Sequence, residues 1–256
     1  MSCKAVNLFT LFVSVFVMIS LACAASQPSP TNTPPPTSTI TATPTNTPRP
    51  SPTLRPTFTP DVAATQHVND LIAEVQSYYD KGYLTTTDGR FIEFDDFKFD
   101  WAQLGSYKLM RLQRSASDFM MSAHFKWNSA LQNSDTAGCG FVFGLQPNDD
   151  HYAVFLDRSK VYFRIRNLEL GYSTSVEPNR VMGKVKFDYP AEANFTLIVQ
   201  GGHAYTLVNG EPASEYTLLE GRPLHGDLGL AVLAGTNKDF GTHCEISHLR
   251  LWMPRE

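Results

Sequence analysis

The chain has 256 residues, 42% of them hydrophobic and 18% charged, and a formal net charge of −4. All 25 acidic residues lie at or after Asp61, so residues 61–256 set 18 basic groups against 25 acidic ones, a balance of −7. That excludes nucleic acid as a partner, because counterion release needs a basic surface, and the folded part is sized for one domain.

Residues 1–22 read as a targeting segment. Lys4 supplies a short positive region, and Ala5 to Ala22 is mostly Leu, Phe, Val, Ile and Met. Ala22-Cys23-Ala24 offers the small-x-small site of an ordinary secretory signal. The run Ile19-Ser20-Leu21-Ala22-Cys23 resembles a bacterial lipobox, in which a small residue precedes a cysteine that becomes acylated. An uncleaved anchor is a third reading, since the apolar stretch approaches bilayer-spanning length. All three export the rest of the chain. The lipid anchor at Cys23 is preferred because a tether begins there, which places the protein at the cell membrane, on the extracytoplasmic face.

Residues 23–60 form that tether. Eleven of the 17 prolines and 11 threonines lie between Ser26 and Pro60, with no glycine. Such a segment buries too little apolar surface to offset its ordering entropy. Proline favours extended conformations, so 35 residues reach at most about 110 Å. A disordered Thr/Pro stalk is expected.

Residues 61–82 predict one amphipathic helix, capped by Thr59 with Pro60 at its first position and ended by Gly82. Val68, Leu71, Ile72, Val75, Tyr78 and Tyr79 follow a 3.6-residue period. This face is expected to pack on the domain or to mediate self-association.

Residues 83–256 predict an all-β domain. Phe119, Met121, Ala123, Phe125 and Trp127 alternate with Met120, Ser122, His124 and Lys126, the period of a strand with one drier face, and Cys139, Phe141, Phe143 and Leu145, and Val161, Phe163 and Ile165, repeat the pattern. Asn194 to Gln200 and His203 to Val208 read as a hairpin across Gly201-Gly202. Gly226 to Ala234 and His243 to Trp252 supply the last strands. About a dozen short strands at this spacing mean a sandwich or a barrel.

The run Gly138-Cys139-Gly140-Phe141-Val142-Phe143, then Asp150-His151-Tyr152 and Val161-Tyr162-Phe163-Arg164, resembles the concanavalin A-like lectin/glucanase jelly roll. Val208-Asn209-Gly210, Gly226-Asp227-Leu228-Gly229-Leu230 and Ile246 to Trp252 extend the match over roughly Gly89 to Met253. It is most similar to the laminin-G-like modules of bacterial lipoproteins with Thr/Pro stalks. The resemblance implies a β-sandwich and leaves lectin, glycan hydrolase and adhesion functions open.

With Cys3 in the targeting segment and Cys23 assigned to lipid, Cys139 and Cys244 remain. In an oxidising compartment they are expected to form a disulfide, the alternative being two buried thiols. No cofactor or metal is expected: the histidines are scattered, and strand alternation puts His243 and His248 on opposite faces. A glycosidase of this fold needs paired carboxylates. Glu93 and Asp95 are expected to share a strand face, but Phe97 stands where a third acid belongs.

Binding is the leading expectation. If Val161, Phe163 and Ile165 face the core, Tyr162, Arg164 and Arg166 face outward, an aromatic face with two guanidinium forks suited to stacking on sugars and pairing with carboxylates. His151 and Tyr152 on the neighbouring strand would extend the patch. The alternative is that these are solvated outer positions of a twisted sheet. The partner is then a glycan or another cell-surface ligand, recognised without catalysis. A glycoside-active hydrolase and a structural module of a surface complex are the other readings.

Overall fold

The computed structural model describes residues 62–255 other than 135 and 168–170. The targeting segment, Cys23, the stalk and the Thr59 cap lie outside the described residues. Among the described residues no helix is long and apolar enough to cross a membrane.

Helix α1 spans Val62–Asp80. It ends as the sequence predicts: Gly82 adopts φ +76° and its N–H donates to Tyr79, while the Tyr83 N–H donates to Tyr78, each at 2.9 Å. This is the left-handed glycine stop that satisfies the last carbonyls of a helix. The buried stripe is narrower than the periodicity implies. Leu71, Val75 and Tyr78 are buried, whereas Val68, Ile72 and Tyr79 are 51%, 59% and 44% exposed. The sheet beneath offers a limited apolar strip (Met120, Ile198, Leu207 and Trp252), so only one edge of the predicted face finds a partner.

The strands are β1 Gly89–Glu93, β2 Phe97–Trp101, β3 Tyr107–Ala116, β4 Phe119–Ser129, β5 Gly138–Leu145, β6 His151–Leu156 and β7 Val161–Asn167. They continue with β8 Tyr172–Val176, β9 Arg180–Val181, β10 Ala191–Gln200, β11 His203–Val208, β12 Glu211–Thr217, β13 Gly226–Leu233 and β14 Thr242–Pro254. Sheet A has the order β1-β14-β4-β10-β11-β12-β9, with β2 also paired to β14, and sheet B has the order β3-β13-β5-β6-β7-β8. Every strand pairing is antiparallel.

The expected sandwich is therefore present, and its core lies between the two sheets. Met121, Ala123, Phe125 and Trp127 point in from β4, and Cys139, Phe141 and Phe143 from β5. Phe141 stacks on Phe195 of β10 with centroids 5.4 Å apart, and Phe125 lies 5.0 Å from Phe141, so aromatic rings interlock across the gap. Cys139 and Cys244 are disulfide-bonded with Cα atoms 5.9 Å apart, tying β5 of sheet B to β14 of sheet A through this core.

Sheet A does not alternate cleanly to its end. The β14 register slips between Ser247 and Arg250, with His248 at φ +52° in the bulge. Ile246 and Leu249 both face the core as a result. The predicted opposition of His243 and His248 fails for that reason, because His248 is the inserted residue and is exposed.

Candidate functional site

The outer face of sheet B gathers most of the predicted ligand-binding residues. His151 pairs in register with Arg166, and Ala153 with Arg164, so His151, Arg164 and Arg166 share one face with Tyr162. Tyr152 does not join them. It is fully buried on the inner face, stacked on Phe143 at 5.1 Å, with its hydroxyl accepting the Leu219 N–H at 3.1 Å. Successive strand residues point to opposite faces, so His151 and Tyr152 cannot serve one patch.

Tyr107, at the start of β3, completes the constellation. Its hydroxyl meets His151 Nε2 at 2.6 Å, while His151 Nδ1 meets the Asp149 carbonyl at 2.6 Å. A carbonyl only accepts, so Nδ1 carries the proton, Nε2 accepts and the phenol donates. Burial is the main force lowering the His151 pKa to about 4, with the Arg166 and Arg222 guanidiniums adding to it and the Asp149 carbonyl opposing. The ring is neutral at physiological pH. Burial likewise raises the Tyr107 pKa, against the pull of Arg166 and Arg164.

The Arg164 guanidinium lies 5.8 Å from the Tyr107 ring centroid and 5.7 Å from that of Tyr162, with Nη1 donating to the Gly105 carbonyl at 3.3 Å. Lys160 Nζ sits 5.3 Å from the Tyr162 centroid. Beside this row is a cleft of about 250 Å³ lined by Tyr107, Arg164, Arg166 and Ser173. Beneath it, the aromatic rings can lie low because β5 carries Gly140. A Cβ there would fall 2.6 Å from the Phe155 ring, and Phe155 in turn packs 5.2 Å from Tyr107. The arrangement presents cations held between aromatic faces, the geometry in which a guanidinium gains from ring quadrupoles while keeping N–H donors for a ligand.

The carboxylate pair behaves differently. β1 ends at Glu93, which meets His67 of α1 at 2.7 Å, and Asp95 lies beyond the strand end, so the two do not share a strand face. Among the described residues no group of His, Cys, Asp and Glu is placed to hold a metal ion.

Neither a protein-family model nor a curated protein matches the sequence. Among solved structures the chain is similar to a carbohydrate binding module from Bacillus subtilis, at 11% identity and TM-score 0.44, covering 62% of this chain and 94% of that one. It is similar to a fructosyltransferase from A. japonicus, at 12% identity and TM-score 0.40, covering 66% of this chain and only 27% of the enzyme. A tetrameric galectin from the ball sponge Cinachyrella sp. gives 10% identity and TM-score 0.39, over 56% of this chain and 97% of that one. The sandwich itself is evident from the strand pairing. At TM-scores below 0.5 these likenesses assign neither a family nor a ligand.

Proposed function

We propose that the protein is an exported, lipid-anchored display module whose sandwich recognises acidic glycans without catalysis, through the outer face of sheet B. The observation that carries this reading is the Arg164 guanidinium held between Tyr107 and Tyr162 beside a cleft that Arg166 also lines. A cationic, aromatic row on a domain whose overall balance is −7 favours a carboxylated or sulfated saccharide over a neutral one. Tyr162, Arg164 and Arg166 contact the ligand, and His151 acts through Tyr107 as a positioning residue.

The anchor is Cys23, and the Thr/Pro stalk after it raises the domain above the membrane. Metabolic palmitate labelling tests it: the label is expected on the wild-type chain and lost in Cys23→Ser, and unchanged labelling would refute the anchor. A glycan array probed with the purified chain tests the recognition. Binding confined to acidic glycans supports the reading, and a blank array counts against it.

A further inference from the structure

On the other side of the sandwich, helix α1 covers only part of the outer face of sheet A. Val75 and Tyr78 close its apolar strip over Met120, Ile198, Leu207 and Trp252. Two residues along the same strands, the face turns polar. Arg250 of β14 stands beside Ser122 of β4, which stands beside Thr196 of β10. Above this row lies a cleft of about 740 Å³, walled by the helix through Glu74 and by the segment after β1 through Phe94. That volume is within the roughly 300–1,000 Å³ range of small-molecule sites.

The floor of this cleft carries unmet hydrogen-bonding capacity. Ser122 is only 4% exposed, and its hydroxyl has no hydrogen-bond partner among the described residues. The adjacent Arg250 Nε is buried and without a partner in the same way. Natural interiors rarely leave such groups unsatisfied, and both residues line the cleft, so a rotation of either side chain would present its polar atom to a ligand there. The guanidinium pairs through Nη1 with Glu74 Oε2 from the helix at 3.0 Å.

We propose that this cleft is a second binding site, separate from sheet B, and that it takes a neutral polyhydroxylated molecule such as a sugar ring or a cyclitol. Charge argues for neutrality. A cation entering would face the Arg250 guanidinium, which Glu74 already pairs at 3.0 Å. An anion entering would face Glu74, Glu93 and Asp96. A ligand hydroxyl both donates and accepts, so one accepts from Arg250 Nε–H while its neighbour pairs with Ser122, next to the Thr196 hydroxyl that already bonds Tyr78. Phe94 offers an aromatic surface to the apolar side of the ring.

The test uses the full chain in detergent and proton–nitrogen NMR that includes the arginine Nε–H signals. The titrants are methyl glycosides of glucose, galactose, mannose and N-acetylglucosamine, and myo-inositol. At least one is expected to shift the Ser122, Thr196 and Arg250 signals saturably, with Arg166→Ala leaving the response intact. Ser122→Ala is expected to weaken that binding about 5-fold, the loss of one hydrogen bond. Thr196→Val provides a second variant, and unshifted core resonances in each confirm the fold. The proposal is overturned if no titrant gives saturable shifts by about 50 mM, if Arg166→Ala abolishes them, or if both floor variants bind as the wild type does.

Discussion

The Tyr107 hydroxyl donates to His151 Nε2 at 2.6 Å, joining edge strand β3 to β6 over the two strands between them. The bond requires a neutral imidazole, and burial keeps it neutral by lowering its pKa to about 4. An unfolded chain takes up that proton near pH 6.5. Between these values the unfolded state binds a proton that the folded state refuses, so stability is full above pH 6.5 and falls as the pH drops toward 4. The complete loss is about 3 kcal/mol. Urea unfolding at pH 7 and pH 4.5 should therefore show the wild type losing about 2–3 kcal/mol more than His151→Gln. Equal losses in the two proteins would show that His151 is not held neutral.

The Cys139–Cys244 bond closes 105 sequence positions and joins the sheets through the core. In the chain-entropy model a loop of that length is worth about 4–5 kcal/mol. The double variant Cys139→Ala, Cys244→Ala should unfold at correspondingly lower urea, measured against the oxidised wild type. A difference under about 1 kcal/mol would mean that the unfolded state is already compact.

Gly89 of β1 is fixed by close approach to another residue. A Cβ there would lie 2.3 Å from the Trp252 indole, on the face that α1 covers. Gly89→Ala must displace that ring, and overpacking of this kind costs about 1–3 kcal/mol. Thermal unfolding of the variant should begin earlier, with the Trp252 environment altered in near-ultraviolet circular dichroism. An unchanged transition would place the indole elsewhere.

The inward sides of β4 and β7 were legible in the sequence, because Phe119 to Trp127 and Val161 to Ile165 alternate with period two, although α1 also buries Met120 on the outer side of β4. The inward side of β7 came with that alternation, and so did the outward Tyr162, Arg164 and Arg166. Strand β6 was less readable: it is buried on both faces, so periodicity does not say whether His151 or Tyr152 points to the core. Register decides it, by setting Tyr152 opposite the inward Ile165. Tyr107 carried no local signal, since its partner His151 lies 44 positions away. The polar floor under α1 was hidden for a related reason. The bulge at His248 changes the parity of β14, and only the folded register brings Arg250 beside Ser122.

Quantitative binding to acidic glycans, compared between the wild type and Arg166→Ala, tests the central claim most directly. Arg166 lines the cleft on sheet B, and its side chain is partly exposed. Removing one charge-assisted contact should weaken binding about 10-fold or more, with the salt dependence reduced and unfolding unchanged. Ser122→Ala, on the opposite side of the sandwich, should bind these glycans as the wild type does. If Arg166→Ala retains full affinity for every acidic glycan that the wild type binds, the outer face of sheet B is not the recognition surface.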